Sequence, residues 1–215
     1  MRLDAKTGAQ LLKPTDFILD AGDRVALTGP SGSGKSVFLR ALALLDGLEG
    51  GQLLWHNGPV ADVGIPRYRR HVSYIAQRPA MLEGTVEDNL RYPFSLKVYQ
   101  DRRFDRVEAL RLAGLAGRGD GFLDKQSSEL SGGEAQIAAL IRVLQLNPDV
   151  LLLDEPTAAL DPESSREIES LVSAWFETEM PQTRAYMWIS HNQEQALRMS
   201  KRRLTMNAGT LSEQS

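Results

Sequence analysis

The sequence predicts an α/β protein with a mostly parallel core sheet, a small antiparallel β lobe and an inserted helical lobe. Three observations carry that expectation. Short apolar runs bounded by polar residues recur along the chain, each followed by a polar loop and a segment of helical character. The first of these runs leads straight into a glycine-rich octapeptide. From about residue 85 to residue 146 the pattern turns helical.

Taken in order, Arg24–Thr28 (RVALT) reads as a buried strand, and segment 37–45 (VFLRALALL) is apolar enough for a helix packed on a sheet. Residues 53–55 and Val60 read as short antiparallel strands about an Asn57-Gly58 turn. Segment 71–77 (HVSYIAQ) is β-branched and aromatic, and stops at Arg78-Pro79, where proline cannot donate a ladder hydrogen bond. Segment 102–113 (RRFDRVEALRLA) repeats apolar residues at Phe104, Val107, Ala109, Leu110 and Leu112, and the glycines of 113–121 mark a loop. Val150–Leu153 (VLLL) and Ala185–Ile189 (AYMWI) are apolar at consecutive positions, which suits central strands buried on both faces. The tail after Leu211 is expected to be disordered.

Composition narrows the function classes. A chain of 215 residues accommodates one sizeable domain with an inserted lobe. Its 25 Lys and Arg against 28 Asp and Glu leave a net charge of −3, which argues against a protein that coats nucleic acid. With 42% hydrophobic residues and no long apolar stretch, nothing approaches the ~18 residues that cross a bilayer. No apolar core near the N-terminus suggests a secretory signal, and the absence of cysteine excludes disulfides, thiolate nucleophiles and cysteine metal sites.

The octapeptide Gly29-Pro30-Ser31-Gly32-Ser33-Gly34-Lys35-Ser36 satisfies G-x-x-x-x-G-K-[ST] between a strand and a helix. Backbone amides must close around phosphate oxygens there, so Gly32 and Gly34 avoid side chains that would block the approach. The helix that begins at the loop presents unpaired amides and a positive dipole end to the anion. Lys35 supplies a cation to the β- and γ-phosphates, and the Ser36 hydroxyl can ligate Mg²⁺. Asp154 and Glu155 end the strand VLLL. The first carboxylate can hold the Mg²⁺ between the phosphates and the second can orient or deprotonate an attacking water. Ser131 and Glu134 in LSGGE have capping-box spacing, while Ser131-Gly132-Gly133 at a helix start also makes an anion site; local chemistry leaves both open. His191 follows an apolar strand, with Asn192 and Gln195 behind it at N-cap and N3 spacing. Asp161-Pro162 reads as a helix start.

The octapeptide, Gln77, LSGGE, VLLLDEP, Ala159-Leu160-Asp161 and His191 occur in the order seen in the ATP-binding subunits of ABC transporters, which the chain resembles over nearly its whole length. The resemblance implies a P-loop ATPase whose residues 1–84 and 147–215 form the nucleotide-binding core, with 85–146 as the helical lobe carrying LSGGE. It implies ATP and Mg²⁺ as ligands, residues 29–36 as Walker A with Val37 beside the phosphates, and Asp154 and Glu155 as the end of Walker B. It further implies Gln77 as a residue touching the metal or the water, and His191 as the switch histidine. Ser131, Gly132 and Gly133 would bind the ATP of a second copy, so hydrolysis needs a homodimer. Partners would be that dimer and a separate permease at the cytoplasmic face of the cell membrane, with no nucleic acid.

Segment 71–93 resembles the ATPases of bacterial Fet-type iron exporters, relatives of plant aluminium-tolerance ATPases, which implies export of iron or another metal ion. The alternatives are an amino-acid or lipid transporter's ATPase, or a soluble ABC ATPase outside transport. A P-loop small-molecule kinase would account for the octapeptide but not for LSGGE or Glu155. Three departures stand out. The aromatic residue on which adenine stacks should fall near Asp4, yet residues 1–12 contain none; stacking is worth about 1–3 kcal/mol, so binding should weaken without vanishing. Val37 stands where threonine is common, and Ile137 where arginine is usual. None is a residue required for hydrolysis, so the chain is expected to be an active ATPase.

Overall fold

Residues 1–3, 10–178 and 183–214 are described by the computed structural model. Along the chain run β1 (Arg2–Leu3), β2 (Gln10–Leu12), β3 (Arg24–Thr28), α1 (Lys35–Leu42), β4 (Leu54–Trp55) and β5 (Gly58–Pro59). There follow α2 (Ile65–His71), β6 (Val72–Ile75), α3 (Val86–Arg91), α4 (Arg106–Leu115), α5 (Gly132–Leu144) and β7 (Val150–Leu153). The chain closes with α6 (Pro162–Glu177), β8 (Ala185–Ile189), α7 (Gln193–Met199), β9 (Arg202–Asn207) and β10 (Thr210–Glu213). Two compact units result: Met1–Tyr74 with Asp149–Glu155 and Gln182–Ser215, and Ile75–Pro148 with Pro156–Pro181.

The first unit is built on a six-stranded sheet of order β10-β9-β3-β8-β7-β6. β3 pairs in parallel with β8 and β9, and β7 with β8, while β10 returns antiparallel along β9. Every residue of β7 and β8 is buried, as unbroken apolar runs require in a sheet covered on both faces. The core joins Val25, Leu27, Leu39, Leu152, Met187 and Met206, and Phe17 meets Phe38 edge to face at 5.5 Å. In parallel sheets ligands gather at the carboxyl ends of the strands. The register Leu27↔Ile189 and Leu153↔Trp188 brings the ends of β3, β7 and β8 into line there.

Several sequence expectations are corrected. The small hairpin pairs Trp55 with Gly58, so its turn is His56-Asn57, both at positive φ (49° and 64°), rather than Asn57-Gly58. The helix expected over 37–45 begins at Lys35 and ends at Leu42, because the chain turns at Leu44 (φ 52°). The strand expected over 71–77 is confined to Val72–Ile75; His71 closes α2, which Pro66 initiates and the buried Tyr68 anchors through a 2.6 Å bond from its hydroxyl to the Leu42 carbonyl. The tail is ordered through Gln214: β10 exchanges ladder bonds with β9, and neither strand is anticipated by the local pattern.

In the second unit α5 packs against α3, α4 and α6. The helix expected over 102–113 starts at Arg106, because the Asp105 carboxylate accepts from the amides of Val107 and Glu108 and ends the extended chain there. Phe104 lies outside it, under the Arg91 guanidinium. Inside the unit, the buried Gln136 donates to the Ala76 carbonyl (3.3 Å) and Arg142 to that of Ala80 (3.0 Å), tying α5 to the segment that flanks Gln77.

Candidate functional site

The octapeptide forms a loop that only glycine permits at its corners. Gly29, Gly32 and Gly34 have φ of 138°, 74° and 104°. The reason differs among them. A Cβ on Gly34 would lie 2.6 Å from the Leu11 carbonyl, and one on Gly29 2.1 Å from that of Met206, whereas a Cβ on Gly32 would meet nothing. Gly32 therefore faces open space, and Gly34 answers to β2. Gly34 is the N-cap of α1, with no side-chain cap and no acid in the first turn, so the first amides stay free for an anion. The Ser33 hydroxyl is buried inside the loop with no hydrogen-bond partner among the described residues.

Lys35 folds back over the loop: its Nζ donates to the carbonyls of Gly29 (3.0 Å) and Pro30 (2.9 Å), and the residue is 5% exposed. Burial pulls its ammonium below the ordinary value, against the opposing pull of Glu155 and Asp154. From behind, the β9–β10 turn braces the loop. Gly209, at φ 74°, donates its amide to the Ser33 carbonyl (2.9 Å) and accepts from Lys13 (2.9 Å). Sequence reading missed this residue; the turn residues Ala208-Gly209 between two alternating runs were its signal.

Two of the metal-binding candidates, Ser36 and Asp154, converge. The Ser36 hydroxyl donates to Asp154 Oδ1 (2.9 Å), and the Tyr74 hydroxyl donates to Asp154 Oδ2 (2.6 Å). Burial first, then the bond to Asp154, pushes the Tyr74 phenol up, so it stays a donor. Among the described residues no group of three or more His, Cys, Asp or Glu is arranged to hold a metal. One hydroxyl and one carboxylate are hard oxygen donors of the kind Mg²⁺ takes when phosphate and water oxygens complete its shell, so Ser36 and Asp154 fit that ion.

Glu155 follows at φ 48°, and His191 Nε2 donates to its Oε1 at 2.8 Å. The loop of His191 is tied on both sides: the Asn192 amide donates to Ser190 Oγ, Ser190 Oγ to Gln195 Oε1 (2.7 Å), and the Gln195 amide to Asn192 Oδ1. The capping spacing read from Asn192 and Gln195 is realised, and it serves to hold the histidine.

Gln77, Ser131, Gly132 and Gly133 belong to the second unit. Gln77 is exposed just beyond β6. At α5 the capping box is made: the Glu134 amide donates to Ser131 Oγ (3.2 Å) and the Ser131 amide to Glu134 Oε2 (3.0 Å). Lys125, at 2.6 Å, and then the Ser131 amide hold the Glu134 carboxyl below its ordinary value. The Ser131 hydroxyl accepts from the Glu134 amide, and its side chain also bonds to the Glu134 carboxyl. A Cβ on Gly133 would come within 2.7 Å of Ser164 Oγ. Asp161 caps α6 as expected. Ile137 is fully buried in α5, and Val37 packs on the first unit's core. The position near Asp4 lies outside the described residues.

A family model described as ABC transporter matches residues 12–158. The chain is 38% identical over 193 residues to Protein STAR1 of Oryza sativa subsp. japonica, covering 90% of this chain and 54% of that protein, about half its length. It is 36% identical over 187 residues to the Probable iron export ATP-binding protein FetA of Escherichia coli (strain K12), covering 87% and 80%. The dimeric ATP-binding cassette MJ0796, bound to ADP and phosphate in a post-hydrolysis state, shares the fold with a TM-score of 0.83 at 24% identity, covering 99% of this chain and 94% of that one.

Proposed function

The chain belongs to the ABC transporter family as a P-loop ATP-binding domain, and from that premise we propose that it hydrolyses ATP as a head-to-tail dimer to drive a separate membrane permease. One observation carries the mechanism: the Ser36–Asp154 contact stands next in the chain to a glutamate that His191 holds at 2.8 Å. The α1 amides and Lys35 bind the phosphates, Lys35 exchanging the carbonyls of Gly29 and Pro30 for phosphate oxygens. Ser36 and Asp154 would hold Mg²⁺, which would neutralise charge on the phosphates. Glu155 accepts a proton from the water whose oxygen bonds to the γ-phosphorus, while the bond to the bridging oxygen breaks and its electron pair leaves with ADP. His191 keeps the Glu155 carboxylate aimed. Ser131 of the second copy gives its hydroxyl hydrogen to the γ-phosphate, with Gly132 and Gly133 leaving room.

In this reading residues 1–84 and 147–215 act as the nucleotide-binding core, and 85–146 as the lobe that offers Ser131. Gln77 senses metal or water, and the permease docks downstream of it, where Leu82, Tyr92 and Leu96 keep exposed apolar surface. No described helix is long and apolar enough to cross a membrane, so the chain would sit at the cytoplasmic face through that partner. Similarity to a protein named for iron export supports iron or another metal ion as cargo, moved outward; the permease that copurifies with the chain tests it.

The enzymatic claim is tested with Glu155→Gln. Phosphate release from ATP without any acceptor should fall by about 10²–10³-fold while nucleotide binding persists, and the ATP-loaded variant should elute as a dimer. Wild-type turnover by the variant would remove Glu155 from the mechanism, and release that waits for an added acceptor would favour a kinase.

A further inference from the structure

The Asp154 carboxylate is held at both oxygens. Ser36 engages Oδ1 and Tyr74 engages Oδ2, the second at 2.6 Å. Asp154 is 5% exposed, and Tyr74 packs against the core of the first unit, so neither side chain swings freely. Beside them Arg40, paired with Asp46 at 2.9 Å, acts electrostatically on both Tyr74 and Asp154. A carboxylate bonded at each oxygen has one orientation. Left free at one edge, it could turn both oxygens to a cation, as Ca²⁺ readily accepts; Mg²⁺ is smaller and prefers single oxygens in a near-octahedral shell.

We propose that Tyr74 is a positioning residue for the metal: by occupying Oδ2 it presents Asp154 through Oδ1 alone, on the side shared with Ser36, and so biases the site toward Mg²⁺ over Ca²⁺. The inference rests on the reading that Ser36 and Asp154 hold the metal of the nucleotide complex. Tyr74 touches neither nucleotide nor water in this scheme; it acts through Asp154.

The test is calorimetric titration of the whole chain with ATP in Mg²⁺, in Ca²⁺ and in EDTA, comparing wild type, Tyr74→Phe and Asp154→Asn. Tyr74→Phe deletes one hydroxyl from a ring that keeps its packing. It should leave binding in EDTA within about twofold and weaken binding in Mg²⁺ about tenfold, the scale of one lost hydrogen bond to a charged group. Binding in Ca²⁺ should change less, so the preference for Mg²⁺ narrows. An unchanged Mg²⁺-to-Ca²⁺ ratio overturns the proposal, as does an equal loss in all three conditions, which would mark Tyr74 as a packing residue. If Asp154→Asn abolishes the dependence on Mg²⁺ while Tyr74→Phe behaves as wild type, only the role of Tyr74 falls. If Asp154→Asn also keeps that dependence, the metal reading itself falls.

Discussion

The N-termini of α1 and α5 have the same backbone chemistry and opposite states. α1 begins at Gly34, in the left-handed region at φ 104°, with no side-chain cap and no acid in its first turn. α5 begins at Ser131, extended at φ −61°, and closes its own amides through a capping box whose glutamate is further paired with Lys125. A bare helix end carries unsatisfied donors and a positive potential, a cost that a phosphate removes. A capped end is already satisfied. In the proposed mechanism this difference becomes a division of labour: the α1 end captures phosphate unaided, and the α5 end stands alone until a phosphate is carried to it. Of the two roles that the local sequence leaves open, the fold realises the cap, and the anion-binding role belongs to the proposed dimer.

The comparison breaks most visibly at Gly34. Gly34→Val would force a β-branched residue to φ 104° with its Cβ 2.6 Å from the Leu11 carbonyl. Strain on the order of 1–3 kcal/mol should appear in thermal melts, and calorimetry should find ATP binding lost. A variant that still binds ATP would mean that α1 does not capture phosphate through this geometry. Ser131→Ala comes next. It should cost about 1 kcal/mol of stability, leave ATP affinity of the isolated chain unchanged and lower steady-state hydrolysis by about 10²-fold. Undiminished hydrolysis would reduce the α5 end to a cap. The smallest effect sharpens the contrast through pH. Because Lys125 and Ser131 depress the Glu134 carboxyl, its contribution is present above the ordinary glutamate value of 4.5 and is lost as pH falls through the lower folded value. Melting temperatures followed downward from about pH 5 should therefore decline more steeply in wild type than in Glu134→Gln, which keeps a capping amide without the charge. Parallel curves would show that the charge of Glu134 adds nothing to the box.

Local chemistry explains why so much of the site could be read early. The capping box of Ser131 and Glu134, the cap of Asp161 on α6, and the Asn192–Gln195 cap all join residues three apart, and a phosphate loop is one contiguous octapeptide. Strands β3, β7 and β8 were legible because central parallel strands need unbroken apolar runs. β9 and β10 were not, because the half-polar sequence of β9 makes sense only against β3, some 180 residues earlier, and β10 has only β9 to pair with. The hairpin turn was displaced by one residue, since Asn57-Gly58 carries the usual turn signal while pairing of Trp55 with Gly58 fixes the loop at His56-Asn57.

By itself, then, the sequence determined the α/β class and the family, and it singled out Lys35, Ser36, Asp154, Glu155, Ser131 and His191 as the candidate groups for the chemistry, since each announces itself through neighbours within a few positions. Tertiary structure alone decided what supports them. That Tyr74 closes the second oxygen of Asp154 across 80 positions, that Gly209 holds Ser33, and that Gly34 must clear Leu11 are facts of chain crossing. Such contacts form only when distant stretches of chain are brought together by folding, and no short-range periodicity encodes which distant residue will stand opposite.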